Sequence, residues 1–404
     1  MSPAEGVLRD LLRRLFPDEE PELDELTSGG ANYTSALYGV RLPSRRLFAK
    51  VANIGEKMRA IMNAELLYST EQYVYERLAS AYGQLQRDHA VPSDECFVFP
   101  KYFGGNPVVG EETVLLEDLR DRGFTTPDRF ASVDWEHARS AVTALARFHA
   151  LSFACARELP QLHAEAVRRL TAAPREVQDE GAKLAMERMV RGAVEVVQDE
   201  QHKRKLMRAI CLDDYNKEFT KFRSPLSVAV MTHGDYRPSN LLVRRVDQDR
   251  RSAEPTGPAT RHHRATWSRG RELETMVVDY QTVHAGCPAA DLLYYVLLGT
   301  DEPFRRDHYR PLLRHYHDQL AMALRRLDIA VDDVYPWDTF QSELKQMVPP
   351  ALLMAVVVLP LVTVEASLAP ATDGDISKFA LPTNSLFADR FNGVLRDCIA
   401  WAEL

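Results

Sequence analysis

Apolar positions at Val7, Leu8, Leu11, Leu12 and Leu15 recur at helical spacing and predict a helix over 5–16. An acidic, proline-containing connector comes next. Small and polar residues over 27–35 then suit a tight loop between strands. Residues 36–42 and 46–51 alternate in the manner of strands, with Pro43-Ser44 as the turn. The pattern predicts one long helix over 58–82 and a loop-rich stretch marked by Pro92, Pro100 and Pro107. A short strand over 112–116 ends in Glu117-Asp118-Leu119. Beyond this point the period changes. Helical spacing covers 135–155 and 164–222, and the chain from 289 onward reads as almost wholly helical. Only short strands interrupt it, at 227–231, 241–243 and 276–279. Strands before about 118 and helices after it predict an α+β chain of two lobes. A small antiparallel-sheet lobe spans 1–118, and a larger, mostly helical lobe spans 119–404.

Composition narrows the class. The 404 residues carry 50 Lys+Arg against 58 Asp+Glu, a net charge of −8, with 45% hydrophobic residues. That supports a large core and opposes general nucleic-acid binding. The five cysteines are an odd number and widely spaced, so neither a disulfide framework nor a zinc site is expected. The amino-terminal segment lacks the pattern of a signal peptide. The longest apolar run, 351–364, is interrupted by Pro360, is too short to span a bilayer and reads as a buried helix. The expected setting is the cytoplasm, without a membrane partner. Residues 244–271 hold eight arginines and two adjacent histidines. They read as a long polar insert between two short strands, or as a basic patch for an anionic partner.

The chemistry concentrates at Thr232-His233-Gly234-Asp235-Tyr236-Arg237-Pro238-Ser239-Asn240. Asp, four residues, then Asn is the spacing of a kinase catalytic loop, where Asp meets the acceptor hydroxyl and Asn holds magnesium. Asp235 and Asn240 are the candidates for those roles. Downstream, Val277-Val278-Asp279 has an apolar strand delivering a carboxylate, and Asp279 with Asn240 would supply the protein's share of a Mg²⁺ site. Upstream, Lys50 stands alone in an apolar strand, placed to meet nucleotide phosphates. Its carboxylate partner is either Glu65 or Glu71. Backbone groups at Glu117 and Leu119 fit the adenine edge of ATP, although Asp118 reads equally well as a helix cap. Asp291 is either a first-turn helix acid or a carboxylate that steadies the catalytic loop, together with His233. His149, on an apolar helix face, reads as a core residue. Neither a Gly-x-Ser-x-Gly elbow nor a Gly-x4-Gly-Lys-Ser/Thr loop is present.

These elements resemble the ecdysteroid kinase-like family, a choline-kinase-like group within the aminoglycoside phosphotransferase fold. The matches are Gly30-Ala31-Asn32-Tyr33-Thr34-Ser35, Phe48-Ala49-Lys50, and Glu71-Gln72-Tyr73-Val74-Tyr75. Further along they are Leu116-Glu117-Asp118-Leu119, Leu145-Ala146-Arg147-Phe148-His149-Ala150, His233-Gly234-Asp235, Val278-Asp279-Tyr280-Gln281, and Pro288-Ala289-Ala290-Asp291-Leu292. The resemblance favours Glu71 as the Lys50 partner and implies that the loop with Asn32 and Ser35 faces the nucleotide. It departs from the family at Ala31, where Glu is usual, and at Tyr236 and Tyr280, where Phe is usual. It implies a protein-kinase-like fold and ATP- and Mg²⁺-dependent phosphorylation of a small-molecule alcohol, foremost an ecdysteroid, by a monomer. A choline- or aminoglycoside-type acceptor keeps the same chemistry. A non-catalytic binding protein on this fold is the alternative of another class.

Overall fold

A computed structural model describes residues 2–27, 34–171, 180–210, 215–246, 272–365 and 383–402. Asn32, Cys211 and residues 247–271 of the expected insert lie outside them. The first helix, α1 (Pro3–Leu15), is capped by Ser2, whose hydroxyl accepts from Glu5 N, and it starts on a proline. Five strands come after it: β1 (Glu22–Leu26), β2 (Ser35–Leu42), β3 (Arg45–Ala52), β4 (Tyr102–Asn106) and β5 (Thr113–Glu117). They form one antiparallel sheet in the order β1-β2-β3-β5-β4. Leu8 and Leu12 of α1 join Leu47, Ala49 and Val51 of β3 in a small core on one face.

The expected helix over 58–82 is broken into pieces. Asn63 takes a left-handed conformation (φ 51°) between α2 (Glu56–Met62) and α3 (Ala64–Tyr73). A π-turn at Val74–Leu78 then separates α3 from α4 (Ala79–Asp88). Strands β1 and β4 lie where the sequence reads as connector and loop. β1 is a charged edge strand with no buried position. β4 carries Gly104 and Gly105, and at Gly105 a side chain would collide with Thr113 O and Tyr102 Oη.

Past Glu117 the chain is mostly helical. The helices are α5 (Trp135–Glu158), α6 (Pro160–Leu170), α7 (Glu180–Val196), α8 (Glu200–Ala209), α9 (Tyr215–Phe222), α10 (Pro288–Gly299), α11 (Glu302–Arg326), α12 (Val331–Val334), α13 (Trp337–Thr363) and α14 (Ser385–Ala402). The fold is therefore α+β and two-lobed, kinase-like, with a small antiparallel sheet and a larger helical lobe. Helix α10 is buried at every position, and α5, α11 and α13 supply much of the surrounding core. Among the described residues α13 alone is long and apolar enough to cross a membrane by length and composition. It extends well beyond the 351–364 run, and 67% of its apolar window is buried within the protein.

Two small hairpin-like pairs carry the polar loops. Strand β6 (Val230–Thr232) pairs antiparallel with β9 (His284–Gly286), and β7 (Leu241–Val246) pairs with β8 (Glu272–Val277). Arg244 and Arg245, at the start of the arginine-rich stretch, belong to β7. They are paired with Glu274 and Glu136, so neither is a spare cation. Beneath β6 and α10 lies a buried carboxylate, Glu343 of α13. It accepts from Ser227 N (2.9 Å), Ser227 Oγ (2.6 Å), Cys287 Sγ (3.1 Å) and Tyr335 Oη (2.5 Å).

Glu343→Ala strands these buried donors and is expected to destabilise the protein by about 3 kcal/mol, read as a lower urea midpoint at unchanged slope. His284 on β9 is 2% exposed, and its Nε2 has no partner among the described residues. Burial, with Arg223 adding to it, holds its pKa down to about 4. The unfolded chain therefore binds this proton more readily between pH 6.5 and about 4, and stability falls as pH drops through that window. His284→Asn is expected to flatten that part of the pH–stability curve in thermal unfolding.

Candidate active site

Lys50 sits at the centre of the sheet, with Leu37 of β2 on one side and Val114 of β5 on the other. Its side chain leaves the sheet on the face opposite the α1 core and is 9% exposed. An ammonium so deeply buried needs an acceptor for each of its three N–H groups. It has three: Glu71 Oε2 at 2.9 Å, Asp279 Oδ1 at 2.6 Å and Gln281 Oε1 at 3.1 Å. Burial alone would depress the ammonium's pKa, but Asp279 and Glu71 outweigh it and hold Lys50 above its ordinary range. Burial raises Glu71, partly offset by Lys50. Asp279 is pulled below the usual carboxylate range, because Lys50 overcomes its desolvation. Glu71 sits near the end of α3, just before the π-turn, whereas Glu65 is exposed.

The 232–240 segment leaves β6 and turns at Gly234, whose φ of 79° is left-handed. A side chain there would collide with Thr282 O and His284 Nδ1, so glycine is required. His233 Nε2 lies 3.0 Å from Val278 O, which only an N–H can approach, so Nε2 carries the proton. That leaves Nδ1 to accept from Asp235 N at 3.3 Å. Thr282 Oγ1 donates to His233 O at 2.9 Å. Asp291 of α10, 2% exposed, accepts from His233 N at 2.6 Å and Gly234 N at 2.9 Å. Burial would raise its pKa, but His149 and the loop amides prevail and lower it. His149 Nε2 is 3.2 Å from Asp291 and its Nδ1 is 2.7 Å from Tyr316 Oη, so this core histidine also backs the loop.

The Asp235 carboxylate is held from several directions. Arg237 Nε reaches Oδ1 and Oδ2 at 2.9 and 3.0 Å, Tyr294 Oη donates to Oδ1 at 2.7 Å, and Asn240 Nδ2 donates to Oδ2 at 2.9 Å. Asn240 Nδ2 also donates to Asp235 O at 2.9 Å. Its amide oxygen takes no hydrogen bond from the described residues. Val278 N donates to Asn240 O at 3.0 Å, which puts Asn240 beside the residue before Asp279. Asp279 itself turns with φ 69°. The structure thus gathers Lys50, Glu71 and Asp279 by direct contact, and Asp235, Asn240, His233 and Asp291 by a second network joined to the first at Val278–Asp279.

The other nominated positions are less central. No hydrogen bond joins Ser35 to Lys50. Its hydroxyl is 2.8 Å from Tyr68 Oη and ties the start of β2 to α3. Glu117 N donates to Lys101 O and Leu119 O accepts from Phe124 N, so two of their backbone groups are already used within the chain. Asp118 caps the next turn, accepting from Arg120 N at 3.0 Å. Sequence reasoning passed over Arg237, Gln281 and Tyr294. For Tyr294 a signal was available: it lies three residues after Asp291 and so shares its helix face.

The oxygen donors suit a hard divalent cation. Mg²⁺ needs one or two carboxylates beside phosphate oxygens, and Asp279 with the Asn240 amide oxygen matches that demand. Among the described residues no group of three or more His, Cys, Asp or Glu forms a metal cluster of another kind.

Comparison with solved structures finds distant likenesses. A spectinomycin phosphotransferase in complex with ADP and spectinomycin is 12% identical, with TM-score 0.47 and 98% of each chain covered. An ethanolamine kinase of Plasmodium vivax is 10% identical, with TM-score 0.42, covering 96% of this chain and 84% of that one. A microcompartment-associated aminopropanol kinase is 13% identical, with TM-score 0.41, covering 100% and 97%. No curated protein matches the chain. The sequence model of the ecdysteroid kinase-like family matches residues 29–254 and 267–329. With most of its length matched, including the segments that carry Lys50, Glu71, Asp235 and Asp279, the chain belongs to the ecdysteroid kinase-like family.

Proposed function

We propose that the protein is an ATP- and Mg²⁺-dependent kinase that phosphorylates a hydroxyl of a small neutral alcohol, with an ecdysteroid as the leading acceptor, and that it acts as a cytoplasmic monomer. The observation that carries the reading is the convergence on Lys50 Nζ of Glu71 and Asp279, contributed by the sheet lobe and the helical lobe in turn. Lys50 is the phosphate contact and Glu71 its holder. Mg²⁺ would be held by Asp279 and Asn240, and when bound it supplies charge neutralisation at phosphate oxygens. Asp235 orients the acceptor hydroxyl and takes its proton. Its carboxylate is paired with Arg237 at 2.9 Å. A loose phosphoryl transition state asks mainly for such placement.

The pairing with Arg237 also supports a neutral acceptor over a cationic one. A choline- or aminoglycoside-type substrate draws its affinity from uncompensated carboxylates or aromatic cages, and Asp235 is already compensated. The non-catalytic reading is disfavoured because Lys50, Asp235, Asn240 and Asp279 are all present and mutually engaged.

The test is incubation with Mg²⁺-ATP and a panel of ecdysteroids, other sterols, choline, ethanolamine and aminoglycosides, with mass spectrometry for the gain of one phosphate. Transfer to the neutral polyols is expected; transfer to the cations alone would reverse the acceptor assignment. Asp235→Asn is expected to lower transfer about 10³-fold while ATP affinity by calorimetry stays within about threefold. Turnover near the unsubstituted level would remove Asp235 from its role.

A further inference from the structure

We infer that Tyr294 is a positioning residue for Asp235, anchoring the catalytic carboxylate to the buried helix α10. The inference rests on the phosphoryl-transfer reading above and adds to it a residue outside the loop motif. Of the side chains that hold Asp235, Arg237 and Asn240 lie two and five residues away on the same loop. Both belong to the loop they hold, and Asn240 is joined to Val278 through its backbone carbonyl rather than through the amide that meets Asp235. Tyr294 is 59 residues away in sequence, and its hydroxyl donates to Oδ1 at 2.7 Å. It is 4% exposed, its ring lies against Phe222 of α9 at 6.0 Å between centroids, and every residue of α10 is buried.

The same helix grips the loop a second time. Asp291, one turn earlier, takes the amides of His233 and Gly234. Asp291 thus sets where the backbone lies, and Tyr294 sets how the carboxylate is turned about its side-chain bonds. Reactant placement errors of about 1 Å can cost about 10²-fold in rate, so a carboxylate released from this anchor loses rate while nucleotide contacts remain. Lys50, Glu71 and Asp279 receive nothing from Tyr294, so ATP binding stays outside its influence.

The experiment compares Tyr294→Phe with the unsubstituted full chain, using the acceptor found in the panel. Phenylalanine keeps the ring and its contact with Phe222. Expected are a kcat lower by about tenfold to fiftyfold, a KM for ATP within twofold and an unchanged thermal midpoint. A kcat within twofold of the unsubstituted enzyme overturns the assignment. So does a kcat loss accompanied by a rise in the KM for ATP and a drop in thermal midpoint, which marks a structural role. Absence of transfer by the unsubstituted chain to every acceptor overturns the proposed function and this assignment with it. Transfer unimpaired in both chains overturns the assignment alone.

Discussion

The architecture depends on satisfying one buried ammonium. Lys50 emerges from the middle of a sheet, where water cannot serve all its donors, and an unpaired charge there would cost several kcal/mol. Its acceptors come from a helix 21 residues on, Glu71, and from a segment 229 residues on, Asp279. One side chain therefore couples the sheet lobe to the helical lobe. The π-turn at Val74–Leu78 begins three residues after Glu71, and such turns shift the register of the succeeding helix while leaving the preceding carboxylate in place.

The second constraint is Asp291. It is a buried carboxylate stabilised by two loop amides and His149, with Tyr316 behind the histidine. A first-turn acid near a helix start gains from the helix dipole in any protein. Here the carboxylate is turned toward the loop, and His149 and the loop amides are what keep it charged. The left-handed Gly234 lets the loop approach Thr282 closely enough for both amides to point at one residue.

Much of this was legible from residue order. The Asp-x4-Asn spacing, the strand ending in Asp279 and the isolated strand lysine are short-range patterns, and the two-lobed layout came from the change of period near residue 118. The choice of Glu71 over Glu65 came from family resemblance, because helical spacing leaves both open. The features that escaped the pattern had physical reasons. β1 is an exposed edge strand whose Glu22, Asp24 and Glu25 mask its pairing. β4 carries glycines that read as loop. Asn63 and the π-turn break a helix whose apolar spacing runs on without interruption. Arg237 carries no signature of its own, since an arginine in a polar loop is ordinary, and Tyr294 shows no more than its place on the helix face of Asp291. Only the fold brings them to one carboxylate.

The two networks also differ in how they stand before substrate arrives. Lys50 has three N–H donors and three acceptors in this structure, so the phosphate contact proposed for it would require it to release one. Glu71 is the partner to keep. It is 2% exposed at the side chain against 22% for Asp279, and leaving a nearly dry carboxylate unpaired costs more than leaving one that water can reach. The neutral Gln281 amide, at the longest of the three distances, loses least on release. Asp235, by contrast, is held by a cation, a phenol and an amide, and a carboxylate offers about four acceptor positions. In the proposed role an acceptor hydroxyl would take over one of the two contacts that Arg237 Nε now makes, and the other would keep the charge paired. On the proposed reading the nucleotide side would exchange partners and the acceptor side would keep its charge pair, a division suited to a reaction in which placement rather than covalent chemistry lowers the barrier.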